Sequence, residues 1–330
     1  MGFNYQTGAM GLGRQTSQGT PVAAQDWLKF LSGGMGVDRE LIISDPEIGG
    51  GRDIDEGTIY PGGVGASGSY EHIVKPNVLG HFILGALGAV SSSALSGAAY
   101  EHTFTPAATL PWYTILERIS ETYETFRTTD CKVNSLELTC DANDYLKATA
   151  EIFGITPESD VSIGSPSPET TPPFLYGGAT ITIDGSSFLP KTVGISLTNN
   201  LEDDDFRVGS LYRGDLSEKR RELILSATIR PTDSDLFKKA VWGSATASLA
   251  QNTKSNIAVT YKWESYEVIG TTAYKYRLEL AIPVAVIVPF RTEPSGDDIL
   301  EHDLEIQAAK GTDSLVTVTL RNSKTSYSAA

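Results

Sequence analysis

The sequence predicts a mainly β protein built from two tandem units, each a β-sandwich or partial barrel with one helix. Three observations predict it. Most segments alternate apolar and polar residues with period two, as in "TITI" (180–183), "NDYLKATAEIF" (143–153), "YKYRLELAIPVAVIV" (274–288) and "SLVTVTL" (314–320), the pattern of half-buried strands. A strand ending in a basic residue, then a proline, then a short helix occurs twice, at "YEHIVKPNVLGHFILGALG" (70–88) and "SATIRPTDSDLFKKAVWG" (226–243). Between them, "TPESDVSIGSPSPETTPP" (156–173) carries five prolines and reads as a semi-extended linker.

In chain order, residues 1–20 are rich in Gly, Gln and Thr and are expected to form a flexible N-terminal arm. The first unit spans 21–155, the linker 156–175, the second unit 176–322, and a loose tail 323–330. Each unit opens with a strand, a long loop and a second strand. The loops are 44–67 and 198–221, longer than compact domains ordinarily keep without a task. They carry the acidic and basic residues Asp45, Glu47, Arg52, Asp53, Asp55 and Glu56 in the first unit, and Glu202, Asp203, Asp204, Asp205 and Arg207 in the second.

The helix after each proline shows the same apolar stripe, Val78, Leu79, Phe82 and Ile83 against Leu236, Phe237, Ala240 and Val241, which covers one helix face. Asn77 on one side, and Asp233 or Ser234 on the other, suit helix capping. Arg52 and Pro76 recur 155 residues later as Arg207 and Pro231. Beyond the helices, "FRT" occurs at 126–128 and 290–292. Leu136 and Leu138 align with Leu304 and Ile306, and Ala148, Ala150 and Ile152 with Val316, Val318 and Leu320, at an offset of 168. Strand parity is kept throughout, so the pattern reads as an internal duplication.

The 330 residues carry a formal net charge of −15, with 40% hydrophobic and 20% charged residues. That balance fits a folded chain and opposes a surface built to grip nucleic acid, which needs clustered Lys and Arg. It leaves open a channel that repels nucleic acid from its wall. No run of eighteen apolar residues occurs, so no membrane span is expected. The N-terminal segment lacks the apolar core of a secretory signal, so synthesis and folding in a cytoplasm are expected. Cys131 and Cys140, if on one strand, point to opposite faces and read as two reduced thiols.

No catalytic, cofactor-binding or metal-binding constellation emerges. His72, His81, His102 and His302 stand apart without metal-ligand spacing and read as packing or surface residues. "GASGS" (65–69) lacks the last glycine of a nucleophile elbow, and "GGG" (49–51) lacks the Lys-Ser/Thr of a phosphate loop. "GDDILEHDLE" (296–305) could pair carboxylates as in a glycosidase but reads more simply as a solvated loop. Trp27, Trp112, Trp242 and Trp263 suit packing better than a sugar platform.

The order of features in "GLGRQTSQGTPVAAQDWLKF", the acidic loop with Arg52 and "GSYEHIVKPNVLGHFILGALG" resembles the major tail tube proteins of long-tailed bacteriophages with non-contractile tails. The resemblance covers most of 10–155, and the duplication extends it to 180–322, as in members with two fused tube domains. It implies a non-enzymatic structural protein of the virion, assembled in the infected bacterium's cytoplasm. Three copies would form a pseudo-sixfold ring, and rings would stack into a tube that delivers DNA. The implied partners are further copies of the chain, a tape measure protein in the lumen, and tail-end and tail-tip proteins. DNA would pass transiently, and no membrane or cofactor is implied.

On this reading the long loops reach the next ring, where Arg39, Lys219, Arg220 or Arg221 would meet their acids. "TILERISETYETF" (114–126) would be a strand with one face to the lumen. The alternative reading is a β-sandwich carbohydrate-binding module on a virion or cell surface, using exposed tryptophans; a β-fold acidic hydrolase is a third.

Overall fold

The computed structural model describes residues 5–45, 48, 52–121, 123–291 and 299–329. The chain opens with β1 (Ala9–Arg14), β2 (Asp26–Leu28), β3 (Ser32–Ile43) and β4 (Ile59–Ile73). Helix α1 (Pro76–Leu87) follows, then β5 (Gly88–Ser96), β6 (Ala99–Pro106), β7 (Tyr113–Arg118), β8 (Thr125–Asp141), β9 (Lys147–Gly154) and β10 (Thr156–Ser159). The second half begins with β11 (Ala179–Ile183), β12 (Ser186–Phe188), β13 (Thr192–Thr198) and β14 (Glu222–Ile229). It continues through α2 (Asp235–Trp242), β15 (Ile257–Val268), β16 (Lys275–Ile287), β17 (His302–Ala308) and β18 (Thr317–Asn322). The protein is therefore mainly β.

Every strand ladder is antiparallel, and the pairings repeat. Before α1, β4 lies between β3 and β9. Strand β9 pairs with the C-terminal part of β8 and β10 with its N-terminal part. The other edge of β8 carries β7, then β1, then β2. Before α2, β14 lies between β13 and β17. Strand β17 pairs with the C-terminal part of β16 and β18 with its N-terminal part, while the other edge carries β15, β11 and β12. The two halves share this topology, with the hairpin β5–β6 added in the first. The correspondence after the helices differs from the 168-residue alignment by one strand. Ala148 and Ala150 pair with His72 and Tyr70, as Leu304 and Ile306 pair with Ala227 and Leu225. So β9 matches β17, not β18. "FRT" falls within β8 in one copy and beyond β16 in the other, where Thr292 lies outside the described residues.

The described parts of the arm and tail are packed, contrary to their expected looseness, and so is the linker. β1, from the supposed arm, is paired on both edges, with Met10 and Leu12 buried. The linker begins as β10 and buries Phe174. Tyr327 of the tail is 1% exposed, set among the rings of His81, His102 and Phe104. Each segment buries a few large apolar groups, which offsets the entropy of ordering it.

Eleven of the twelve α1 residues are buried, so the helix is enclosed rather than amphipathic. Its first turn is not capped by Asn77. The Glu169 carboxylate from the linker accepts from the N–H groups of Asn77 and Val78, at 2.9 and 2.8 Å, which satisfies two otherwise orphan donors. α1 lies over the seam between the halves, above a cavity of about 20 Å³ lined by Ile83, Ala86, Leu138, Ile195, Leu280 and Val318, among others. α2 is shorter: Leu236 is buried, Phe237 packs edge-on against Phe290, Ala240 is half-buried, and Val241 is 39% exposed. Asp233 caps it by accepting from the Asp235 N–H.

Both cysteines face the main core, not opposite sides. The register shift in β8 between Val133 and Ser135 turns the strand over once between them.

Candidate functional site

The halves join through β8 and β13, paired from Ser135–Thr198 to Asp141–Thr192. One sheet thus runs β3–β4–β9–β8–β13–β14–β17–β16. One of its faces is core, with rows such as His72–Ala148–Leu138–Ile195–Leu225–Ile306. The opposite face, on alternate residues, is polar. One row reads Glu71–Thr149–Glu137–Ser196–Ile224–Gln307, and the next Ser69–Glu151–Ser135–Thr198–Glu222. A third reads Ile73–Lys147–Thr139–Gly194–Ser226–Glu305, and a fourth Asp141–Thr192–Thr228–Asp303.

Seven carboxylates (Glu71, Glu137, Asp141, Glu151, Glu222, Asp303, Glu305) share this face with one lysine. None stands directly opposite another: each cross-strand neighbour in these rows is Ser or Thr. That spacing avoids the repulsion of facing like charges. The hydroxyls also bond the acids. Ser32 donates to Glu71 at 3.0 Å, Ser135 to Glu151 at 3.2 Å, and Thr228 to Asp303 at 2.7 Å. Lys147 is neutralised by Asp144 at 2.6 Å, which holds the Asp144 carboxyl low and the lysine high. The face is therefore anionic and hydroxylated. The segment 114–126, expected as one strand, is divided between β7 and the start of β8, and β7 lies off this face. Its Glu117 is buried in β7, where it accepts from the Met35 N–H and the Tyr70 hydroxyl, and burial raises its pKa.

The two ends of the sheet are complementary. Among the described residues β13 is paired on both edges, whereas its counterpart β3 pairs only with β4. The C-terminal part of β8 is paired on both edges. In its counterpart, Val286 and Ile287 of β16 pair with β17 alone.

Both long loops leave this sheet from the same end, because β3 and β13 run in the same direction through the intervening antiparallel strands. Strand β4 already begins at Ile59, so the first loop is shorter than expected. Asp45, Arg52, Asp53, Asp55 and Glu56 are exposed, and Asp55 caps a short 3-10 turn over Glu56–Thr58; Glu47 lies outside the described residues. The second loop is divided. Its tip, 203–210, is mostly exposed, with Arg207 paired to Asp205 at 2.6 Å and Glu202 near Lys219 at 3.8 Å. Its base lies on the first half: Leu211 and Arg213 bond the Val64 backbone, and Glu218 takes Lys132 and the Leu110 N–H at 2.9 Å each. Arg221 points inward to Asn199 and the Ala107 carbonyl, so it is no surface partner for acids. Arg39 and Arg220 remain exposed.

The sequence reading missed the buried polar groups that hold this joint. Asn199 donates to the carbonyls of Ala86 and Val133, and Asn134 accepts from the Leu201 N–H. Neither asparagine has a local signal, because each bonds to backbone far away in sequence.

A family model described as phage tail tube protein matches residues 6–308. The chain belongs to the phage tail tube protein family. Tail tube proteins of this family are structural components of the virion that self-assemble into the tube. No curated protein matches the chain. For a tail tube protein the polar sheet face and the two open edges are the surfaces of interest. All four histidines are buried. Trp27 and Trp263 are buried and Trp112 and Trp242 half-buried, so no tryptophan platform faces solvent. Among the described residues, no three His, Cys, Asp or Glu side chains converge as metal ligands, and no helix is long and apolar enough to cross a membrane.

Proposed function

We propose that this tail tube protein forms rings by repeating its internal joint between copies, and that the polar sheet face lines the lumen through which DNA passes. The observation that carries this is the joint itself. The second half meets the first head to tail, with β13 on the edge of β8, and two complementary edges, on β3 and β16, are left over among the described residues. A head-to-tail contact that repeats generates a ring where the rotation closes, and closure removes the open edges. Two like-shaped tube domains per chain, bounded near 21–155 and 176–322 with β1 added to the first, make three copies a pseudo-sixfold ring.

The open edge of β3 then takes the place of β13 on the next copy's β16. Leu136 and Ile287 hold corresponding places, each one pair along from the strand beside the helix. The register of the internal joint therefore sets Gly36 opposite Val286 and Gly34 opposite Val288 of the next copy.

Loop tips 44–58 and 203–210 leave the ring on one side and are the ring-stacking elements. They carry the acids and Arg52 and Arg207, along with exposed Ile48, Ile54, Phe206 and Val208. Exposed ion pairs contribute about 0–1 kcal/mol each, so the apolar tips supply the rest. The acidic lumen excludes tight DNA contact. A tape measure protein inside, proteins at both tail ends, and assembly in the bacterial cytoplasm complete the reading.

Negative-stain microscopy of concentrated protein tests it, with rings and tubes expected. Alternate residues of an edge strand aim their N–H away from the sheet. Proline placed in turn at 34, 35 and 36 is therefore expected to give at least one folded variant that forms no rings. Rings from every folded proline variant would overturn the closure. Deleting residues 48–56 should leave rings and prevent tubes; normal tubes would remove the loops from stacking.

A further inference from the structure

The segments that follow the two helices begin alike. Gly88 and Gly243 both end their helices in the left-handed region, at φ 101° and 83°, where glycine is favoured. Small, hydroxyl-rich residues come next, "AVSSSALSG" and "SATASLAQN". In the first half this stretch is β5. It returns as β6, which lies on the edge of β18 in the second half, from Phe104–Val318 to Tyr100–Asn322. The first unit thus lends a hairpin to the unit after it.

Among the described residues the second unit meets no third unit that could accept a hairpin from it. Its segment, 243–256, has no regular strand. It is tied by backbone bonds from Ala247 to Ser244 and from Gln251 to Trp242, with Leu249 77% exposed. The strand that corresponds to β18 in the first half is β10, which among the described residues pairs with β8 alone. Among the described residues the first half thus holds an acceptor without a lender, and the second half a lender without an acceptor.

We infer that residues 244–256 fold into a short hairpin on the outer edge of β10 in the next copy of this chain. The inference rests on the ring reading above and names a second contact of the same joint, on the outer sheet. Thirteen residues suffice for two short strands, 244–250 and 253–256, about a two-residue turn at Gln251-Asn252, where Asn252 suits the turn. Pro157 in β10 is compatible. A proline within a ladder turns its nitrogen away from the paired neighbour, so its carbonyl and the Ser159 N–H remain for an incoming strand. The ladder is shorter than that on β18, since Asp160 turns to φ 56° and ends β10. Free chains leave the segment irregular because its template arrives only with a neighbour.

Amide hydrogen exchange on the full-length chain, before and after assembly, tests this. Peptides covering 244–253 are expected to slow by roughly tenfold or more in assembled particles, together with those of β3. If β3 slows and 244–253 does not, the hairpin docking is overturned while the ring stands. If neither slows in assembled particles, the ring joint fails and the docking with it. The variant Leu249→Pro separates folding from assembly. It should leave the free chain's Tm unchanged and raise the concentration needed for assembly about tenfold; unaltered assembly would overturn the docking.

Discussion

His72 shows how single residues tie this fold to solution conditions. It is fully buried against Phe82, with a Tyr70 backbone group near the ring but off hydrogen-bonding geometry, and burial lowers its pKa to about 4. The unfolded chain takes up the proton near the ordinary value of 6.5, so stability is lost as pH falls from about 6.5 towards 4. The cost is roughly 2–3 kcal/mol. Buried Glu117 and Glu169 have raised pKa values and act in the opposite sense, losing stability as pH rises. Comparing His72→Leu with the parent isolates the histidine: the variant's Tm should exceed the parent's at pH 4.5, by more than any difference at pH 7. An equal difference at both would exclude this histidine as an acid-sensitive group. Gly80 is a second such residue. A Cβ there would lie 2.0 Å from the Tyr327 ring, whose hydroxyl donates to the Asn77 carbonyl and accepts from Asn322. Gly80→Ala should therefore cost about 1–3 kcal/mol and free residues 323–329 to proteolysis; a tail that stays resistant would show that α1 yields instead. Gly80 did not announce its role in sequence, because its partner Tyr327 lies hundreds of positions away.

At the scale of elements, legibility followed how local the cause was. Helices α1 and α2 were readable, because Pro76 in the first turn of α1 and the glycine that ends each helix act within a few residues. The strand correspondence after them was not. Period-two alternation is the same in every strand that faces one core, so β8 could be laid on β17, or β9 on β18, without penalty; only the ladders decide. β1 was missed for another reason. "GLGR" lacks strand-forming residues, yet a Cβ on Gly13 would lie 2.3 Å from the Ala23 carbonyl, so close packing of the backbone selects the glycine. The polar face was hidden inside ordinary alternation, and the segment 114–126, expected as one strand, is divided between β7 and the start of β8. The joint between halves depends on Asn199, which satisfies two buried carbonyls and the Arg221 guanidinium. Asn199→Ala leaves those groups unpaired and should cost about 2–4 kcal/mol in urea unfolding. A loss under about 1 kcal/mol would mean that the apolar contacts beneath α1 hold the halves together alone.

For the whole molecule, the consequence of a head-to-tail joint is that one face of every unit ends on the same side of the assembly. If that side is the lumen, its carboxylates repeat around each ring and along the tube. The potential at the axis is then a sum over many copies, although each charge alone is screened within about 8–10 Å. DNA brings one negative charge per about 1.7 Å of helix axis, so the wall holds the duplex off rather than binding it, and transit needs no release step. Reversing charge at Glu137, Glu222 and Glu305 with lysine tests this, because all three side chains lie on the polar face and none belongs to the open edge of β3 or of β16. The triple variant should still form tubes. Its tubes should retain double-stranded DNA that parent tubes pass, with retention falling steeply as salt rises, since lysine–phosphate contacts release counterions. In phage carrying the variant, DNA delivery should slow. Tubes of the variant that neither retain DNA nor delay delivery would place this face away from the lumen.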